Sequence, residues 1–192
     1  MENFWLYFKL GFDHVLDWNA YDHVLFLTAL VVSYTFWQSK KVIWLVTLFT
    51  IGHVVSLALS AYDLIRVDTT IIEFMIPVSI IFTAAYSIFT SKKHKSKINL
   101  LYFVTLFFGL VHGFGFSTYF NMLAKGNDNL LLMLIEFALG IELAQIIVVF
   151  VALFLSFIVQ YIFKFPKRDW ILVISSLVLG MTIPILVKNW IF

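Results

Sequence analysis

Histidine and carboxylate side chains recur through an otherwise apolar chain, and together they make a nitrogen and oxygen ligand set. His14 and Asp17 stand three residues apart in GFDHVLDW, Asp22 and His23 are adjacent in YDHVLFL, and His53 lies in FTIGHVVS. Glu73 follows in IEFMIPVSI, His112 in GLVHGFGFS, and Glu142 with Gln145 in ALGIELAQ. Such a set suits Ni, Zn, Mn or Fe in the divalent state, and the lack of any cysteine argues against Cu(I). It also removes disulfides and cysteine nucleophiles from consideration. His14 and Asp17 share a face if their stretch is helical. Asp22 serves either as a ligand or as the group that orients a histidine from behind.

Each group also has a plainer reading. Asp22 and His23 suit an anchor pair at the membrane interface, and His53 with Ser56 or His112 amid glycines suits a hydrogen bond between helices. Glu73 lies near a segment end where water reaches it, and Glu136 reads the same way. His94, in SKKHKSK, reads as a solvated loop residue. Glu142 is the hardest to dismiss. No lysine or arginine follows it until Lys164, so its carboxyl must be protonated, hydrogen-bonded or beside a cation. Gln145, one turn on, is placed to orient it. The 22 phenylalanines read as lipid-facing packing and an interfacial belt.

The elements that carry these groups follow from composition. Of 192 residues, 62% are hydrophobic and 12% charged, against about 25% charged in soluble domains. A spanning helix takes about 20 apolar residues, so the chain holds roughly six. The expected spans are about 22–37, 42–61, 70–90, 98–123, 129–163 and 170–188, the fifth long enough to be tilted. They exceed strand length and lack barrel alternation, which predicts an all-α bundle forming a single integral membrane domain over 1–192. Residues 1–20 read as a short interfacial helix, with neither the basic region nor the cleavage site of a signal peptide. Pro77 and Pro184 fall inside spans, where neighbouring helices can satisfy the freed carbonyls.

Loop charges set the expected orientation. Lys40, Lys41, Lys92, Lys93, Lys95, Lys97, Lys164, Lys167 and Arg168 fall on one side, against Lys9, Arg66, Lys125 and Lys188 on the other. The first group belongs in the cytoplasm by the positive-inside rule, which places both termini outside. His14, Asp17, Asp22, His23, His53, Glu73, His112 and Glu142 then share the outer half of the bilayer or its midplane. Intramembrane ionisable groups of this kind mark a pathway or a site. Glycines flank several of them, and Gly109 with Gly113 has the spacing that lets helices approach closely. The net charge of +2 gives no reason to expect a nucleic-acid partner.

In order and wording, GFDHVLDWNAYDHVLFL, FTIGHVVSLALS, IEFMIPVSI, FGLVHGFGFS and FALGIELAQ resemble the HupE/UreJ family of small bacterial membrane proteins. The likeness runs from Gly11 to about Gln145. It is most specific in the D-H-x-x-F of Asp22 to Phe26 and the G-L-x-H-G-x-G-F of Gly109 to Phe116. Members accompany hydrogenase and urease gene clusters and are regarded as nickel, sometimes cobalt, permeases or metallocentre accessory proteins. The resemblance implies metal handling by His14, Asp22, His23, His53, His112 and Glu142, in a multi-pass protein of the bacterial inner membrane. The chain departs from relatives where Phe108 replaces a further histidine and where Val55 replaces a serine.

Three functions follow from these residues. A divalent-metal permease, for Ni or Zn, would capture the ion at an outward vestibule of His14, Asp17, Asp22 and His23 and hold it at His53, His112 and Glu142. The chain carries no P-loop, so ion flow would be passive or proton-coupled. Its inner span ends show few polar groups to form an exit. An intramembrane hydrolase of zinc type would use three histidines with one open position. An accessory protein would use the ion only to hold its helices together. No protein partner is legible.

Overall fold

The computed structural model describes residues 2–91, 98–125 and 129–191. Among them the chain is helical throughout, with no strand. The order is α1 (Glu2–Val15), α2 (Asp22–Val31), a 3-10 turn (Phe36–Gln38), α3 (Ser39–Ala61), α4 (Thr69–Thr90), α5 (Ile98–Ala124), α6 (Leu130–Phe157) and α7 (Lys167–Lys188). A single π-helical stretch, Ile158–Ile162, continues α6. Lys92, Lys93, His94, Lys95 and Lys97 lie outside the described residues.

Among the described residues five helices are long and apolar enough to cross a membrane, one fewer than expected. The difference lies in the first expected span. α2 has only 10 residues, so at about 1.5 Å per residue it covers roughly half of a hydrocarbon core about 30 Å thick. The chain then turns into the short Phe36–Gln38 helix, where Gln38 Oε1 reaches back to accept from the Thr35 N–H at 3.2 Å. The long fifth segment is present as 33 helical residues, Leu130–Ile162. Pro77 and Pro184 both sit inside helices, α4 and α7. α3 ends where Asp63 adopts the left-handed conformation at φ 58°, and Asp68 caps the start of α4 by accepting from the Thr70 N–H at 2.9 Å.

Close helix contact comes from glycine. A Cβ on Gly52 would run into the Leu106 carbonyl, one on Gly109 into the Phe49 carbonyl, and one on Gly113 into the His53 carbonyl. These pairings advance together along both helices, so α3 and α5 lie parallel with their backbones in contact. Dispersion between close backbones is the main attraction available to helices in lipid, where apolar burial adds little.

α1 is likewise docked and does not lie free on a surface. Gly11 packs on the Phe137 carbonyl and Gly140 on the Phe8 carbonyl, which runs α1 antiparallel to α6. Its N-terminus is therefore directed toward the end of the bundle where α6 finishes. Asn189, at the other terminus, donates to the carbonyl of Glu73 near the start of α4, the opposite end. α1 and the end of α7 thus point in opposite directions along the bundle. On the outside of the bundle, Ile43, Trp44, Ile51 and Val55 of α3 and Leu139, Leu143, Ile147 and Phe150 of α6 are all exposed. Apolar patches of that size fit a lipid-facing surface.

Candidate metal centre

Four histidines from four helices meet inside this bundle. His14 comes from the last turn of α1, His23 from the first turn of α2, His53 from α3 and His112 from α5. The break at residues 16–21 folds α1 back on α2 and brings His14 and His23 together, with ring centroids 4.6 Å apart. The glycine contact between α3 and α5 brings in the other two, because Gly113 sits on the backbone of His53 itself. The His23 ring lies 5.7 Å from His53 and 5.2 Å from His112, and His14 lies 5.5 Å from His53. His14, His23 and His53 each offer one ring nitrogen within 4.8 Å of the others. Nitrogens sharing a tetrahedral ion at about 2.0–2.1 Å stand roughly 3.4 Å apart, so a shift on the order of 1 Å would close the set.

Hydrogen bonding leaves these nitrogens open. Nε2 of His14, His23 and His112, and both ring nitrogens of His53, are buried without a partner among the described residues. His53 is fully buried, with His112 and His23 at 1% and 2% exposure. A buried polar atom without a partner carries a penalty of about 1–3 kcal/mol, so a cluster of them calls for a ligand. In His112 and His23 the second nitrogen is tied down. His112 Nδ1 lies 2.8 Å from the Phe108 carbonyl, which can only accept, so Nδ1 carries the hydrogen and Nε2 keeps its lone pair. His23 Nδ1 lies 3.0 Å from Asp22 Oδ1, which also accepts the His23 backbone N–H at 2.8 Å. Asp22 is thereby placed behind a histidine, the arrangement that fixes a ring and raises its basicity. Asp22→Asn should accordingly weaken metal binding about 10- to 100-fold without abolishing it, measured by competition with a chelating dye.

Aromatic rings enclose the group from two sides. Phe49 and Phe26 stack at 4.8 Å, and their centroids lie 5.0 and 5.3 Å from His112. Phe108 joins them at 5.9 Å from Phe26. Toward the opposite end, Phe116 and Phe137 stack at 5.4 Å, and Phe116 lies 4.0 Å from His14. Beside Phe116 a cleft of about 570 Å³ opens onto His14 itself, with Asp13, Asp17, Asn19 and Tyr119 among its lining. These phenylalanines were expected to face lipid, and five of them instead pack around the histidines. Their spacing carried the signal: Phe49 and His53, Phe108 and His112, and His112 and Phe116 are each one helical turn apart.

The remaining candidates are placed elsewhere. Glu142 stays out of the histidine group and accepts from Thr47 Oγ1 at 2.6 Å and from Thr50 Oγ1. Gln145 does stand beside it, fully buried, with Oε1 3.1 Å from Thr50 Oγ1. Glu73 is exposed on α4. Asp17 is exposed at the cleft and accepts from the Asn19 N–H at 2.8 Å. Glu136, expected to be solvated, is 5% exposed on α6. Asp13, on the cleft wall beside His14, was missed in the sequence, although Asp13 and His14 repeat the adjacent pair of Asp22 and His23.

A family model described as HupE / UreJ protein matches residues 1–190. The chain belongs to the HupE/UreJ family. No curated protein and no solved structure matches it. The family assignment joins the apolar helices in marking a multi-pass membrane protein, and it fits a group of buried imidazoles that lack partners.

Proposed function

We propose that this HupE/UreJ protein takes up a divalent transition metal, Ni or Zn, through a centre made by His14, His23, His53 and His112, with Asp22 orienting His23. The observation that carries this reading is the convergence of buried, unpartnered imidazole nitrogens, those of His14, His23 and His53 within 4.8 Å of one another and His112 beside them with its ring 5.2 Å from His23. Three or four neutral imidazoles suit these borderline ions, and no thiolate competes. In this reading the whole chain is one membrane-embedded unit of the bacterial inner membrane, with Lys40, Lys41, Lys164, Lys167 and Arg168 at its cytoplasmic face. The cleft then faces outward. Asp13 and Asp17 concentrate cations at its mouth, and His14 is the first nitrogen an arriving ion meets.

Transport is the favoured use of the centre because His14 lines the open cleft while Phe26, Phe49 and Phe108 close the opposite side. An ion can then arrive from the cleft and bind reversibly, in which case the metal is the cargo. The enclosure on the side away from the cleft also supports a second reading, a metal held permanently for hydrolysis at the cleft or for helix cohesion.

Elemental analysis of protein purified in detergent without added metal separates the readings. Metal-free protein that binds Ni(II) reversibly and loads it into vesicles is the expected result. One tightly held ion per chain, with no uptake into vesicles, would replace transport with the resident-metal reading.

A further inference from the structure

A second cavity, also of about 570 Å³, is bounded by α2, α6 and α7. Its walls run from Tyr21 to Val32 along α2, from Val148 to Ser156 on α6 and from Trp170 to Met181 on α7. At about 1.5 Å per residue the stretch of α7 is about 16 Å long, which matches one leaflet of a hydrocarbon core about 30 Å thick. Most of the lining is aliphatic. Val151, Leu155 and Met181 belong to it and are also exposed on the outer surface, so the cavity is a groove open sideways to lipid.

The two ends of the groove differ in charge. Leu16, Asp17 and Trp18 line both the groove and the cleft at His14, so that end carries a carboxylate. The other end holds Trp170, at the first turn of α7. Its Nε1 is buried and has no partner among the described residues, although a buried indole N–H ordinarily finds an acceptor. Lys167 is exposed three residues earlier, on the face of α7 that continues through Trp170, Ile174 and Met181 of the lining. Arg168 and Asp169 both fall off that face and carry opposite charges, which leaves Lys167 as the charge at this end. The first N–H groups of α7 lack helical partners and also favour an anion there.

We propose that this groove holds one acyl chain of an anionic phospholipid, with the lipid phosphate at Trp170 Nε1 and Lys167 and the tail running toward Met181 and Tyr21. A phosphate supplies both the acceptor that the indole lacks and the negative charge that Lys167 faces, and basic pockets between spanning helices take acidic lipid headgroups in this way. A tryptophan near a helix end also stands at headgroup level. The reverse orientation would set the phosphate against Asp17. A helix of a second protein does not fit inside: about 10 Å across and 16 Å long, it fills roughly 1,250 Å³, more than twice the cavity. The tail packs on α2, the short helix that carries Asp22 and His23. The assignment uses none of the histidines and holds whether or not they carry a metal.

Native mass spectrometry of the full chain in detergent tests it, with phosphatidylglycerol or phosphatidylcholine of equal chain length added to delipidated protein. One phosphatidylglycerol per chain should be retained, about fivefold more tightly than phosphatidylcholine for the one basic residue at the headgroup. Lys167→Gln should remove that preference and leave phosphatidylcholine binding as it was. Trp170→Phe keeps an apolar ring and loses the N–H, so it should weaken both lipids about tenfold, since both carry the phosphate. Ala152→Phe, which fills the groove, should weaken both as well. Arg66→Gln removes a charge at the opposite end of the bundle and should change neither. Thermal unfolding of each variant reports on folding, and where Ala152→Phe does not fold, Trp170→Phe decides. Equal retention of the two lipids by the wild type would overturn the assignment, as would binding unaltered in both Trp170→Phe and Lys167→Gln. Glycerol phosphate retained as tightly as the whole lipid would leave the tail without a role and equally reject it.

Discussion

His53→Ala is expected to lower metal affinity by two to three orders of magnitude while the bundle stays folded. Structural four-ligand sites bind with roughly 10–16 kcal/mol in total, or about 3–4 kcal/mol for each ligand, which is a factor of about 100 to 1,000. His53 is the most telling position because neither of its ring nitrogens has a partner among the described residues, so no hydrogen bond shown there gives it an alternative role. The metal-free protein should change little. Removing the ring opens a small cavity, which destabilises, and also removes two buried polar atoms without partners, which stabilises; the two effects oppose each other. The measurement is thermal unfolding in detergent with and without Ni(II) or Zn(II). The wild type should gain stability from metal by linkage, and His53→Ala should gain almost none. A variant that keeps the full metal-induced rise in Tm would remove His53 from the centre.

The contrast with Asp22→Asn shows how the chain divides its labour. Asp22 touches the ring of His23 and not the space between the histidines, so its removal weakens the centre and does not dissolve it. From the sequence alone Asp22 had both roles open, and the 3.0 Å contact to Nδ1 supports the orienting one.

The class of fold was legible because it rests on composition. Long apolar runs in a chain without barrel alternation allow only helices, and the length of α6 and the prolines within α4 and α7 were readable for the same reason. The count of spans was not. The run from Asp22 to Trp37 is apolar enough to look continuous, yet the helix stops at Val31, and hydropathy carries no record of a turn in a buried chain. That break matters to the site, since the fold-back between α1 and α2 is what sets His14 beside His23. The four histidines could be recognised as a set because histidine is rare in hydrocarbon. Glu142 was grouped with them on depth and on the family resemblance. Depth fixes a residue along a helix and says nothing about which neighbour its face meets, and the face of α6 that bears Glu142 meets Thr47 and Thr50. The phenylalanine layers were misread for a related reason: a ring packs as well against an imidazole as against lipid, and composition does not separate the two.

Gly113→Val should have the largest structural effect of any single substitution considered, because one contact supports both the bundle and the metal centre. A Cβ at residue 113 would overlap the His53 carbonyl and the Ser56 hydroxyl. The hydroxyl could rotate away, but the carbonyl belongs to helical backbone that is already hydrogen-bonded within α3. The helices must therefore part, which draws His112 away from His53 and loosens the packing that dispersion supplies in lipid. Overpacking in cores costs about 1–3 kcal/mol, and a backbone clash belongs at or beyond the upper end. Two other glycines calibrate the expectation. At Gly115 a Cβ would meet only the tip of Ile76, at 2.8 Å, which can turn aside, so Gly115→Ala should be mild. At Gly180 on α7 nothing lies within 4 Å, and alanine there should be neutral or stabilising by up to about 1 kcal/mol through helix propensity. Thermal unfolding and metal content of the three variants read both consequences together. The expected order is Gly180→Ala least affected and Gly113→Val most, with metal lost only in the last. Full metal content in a stable Gly113→Val protein would mean that the α3–α5 contact does not position the histidines. Ser56→Gly should fail to rescue Gly113→Val, since the obstacle that remains is the His53 carbonyl.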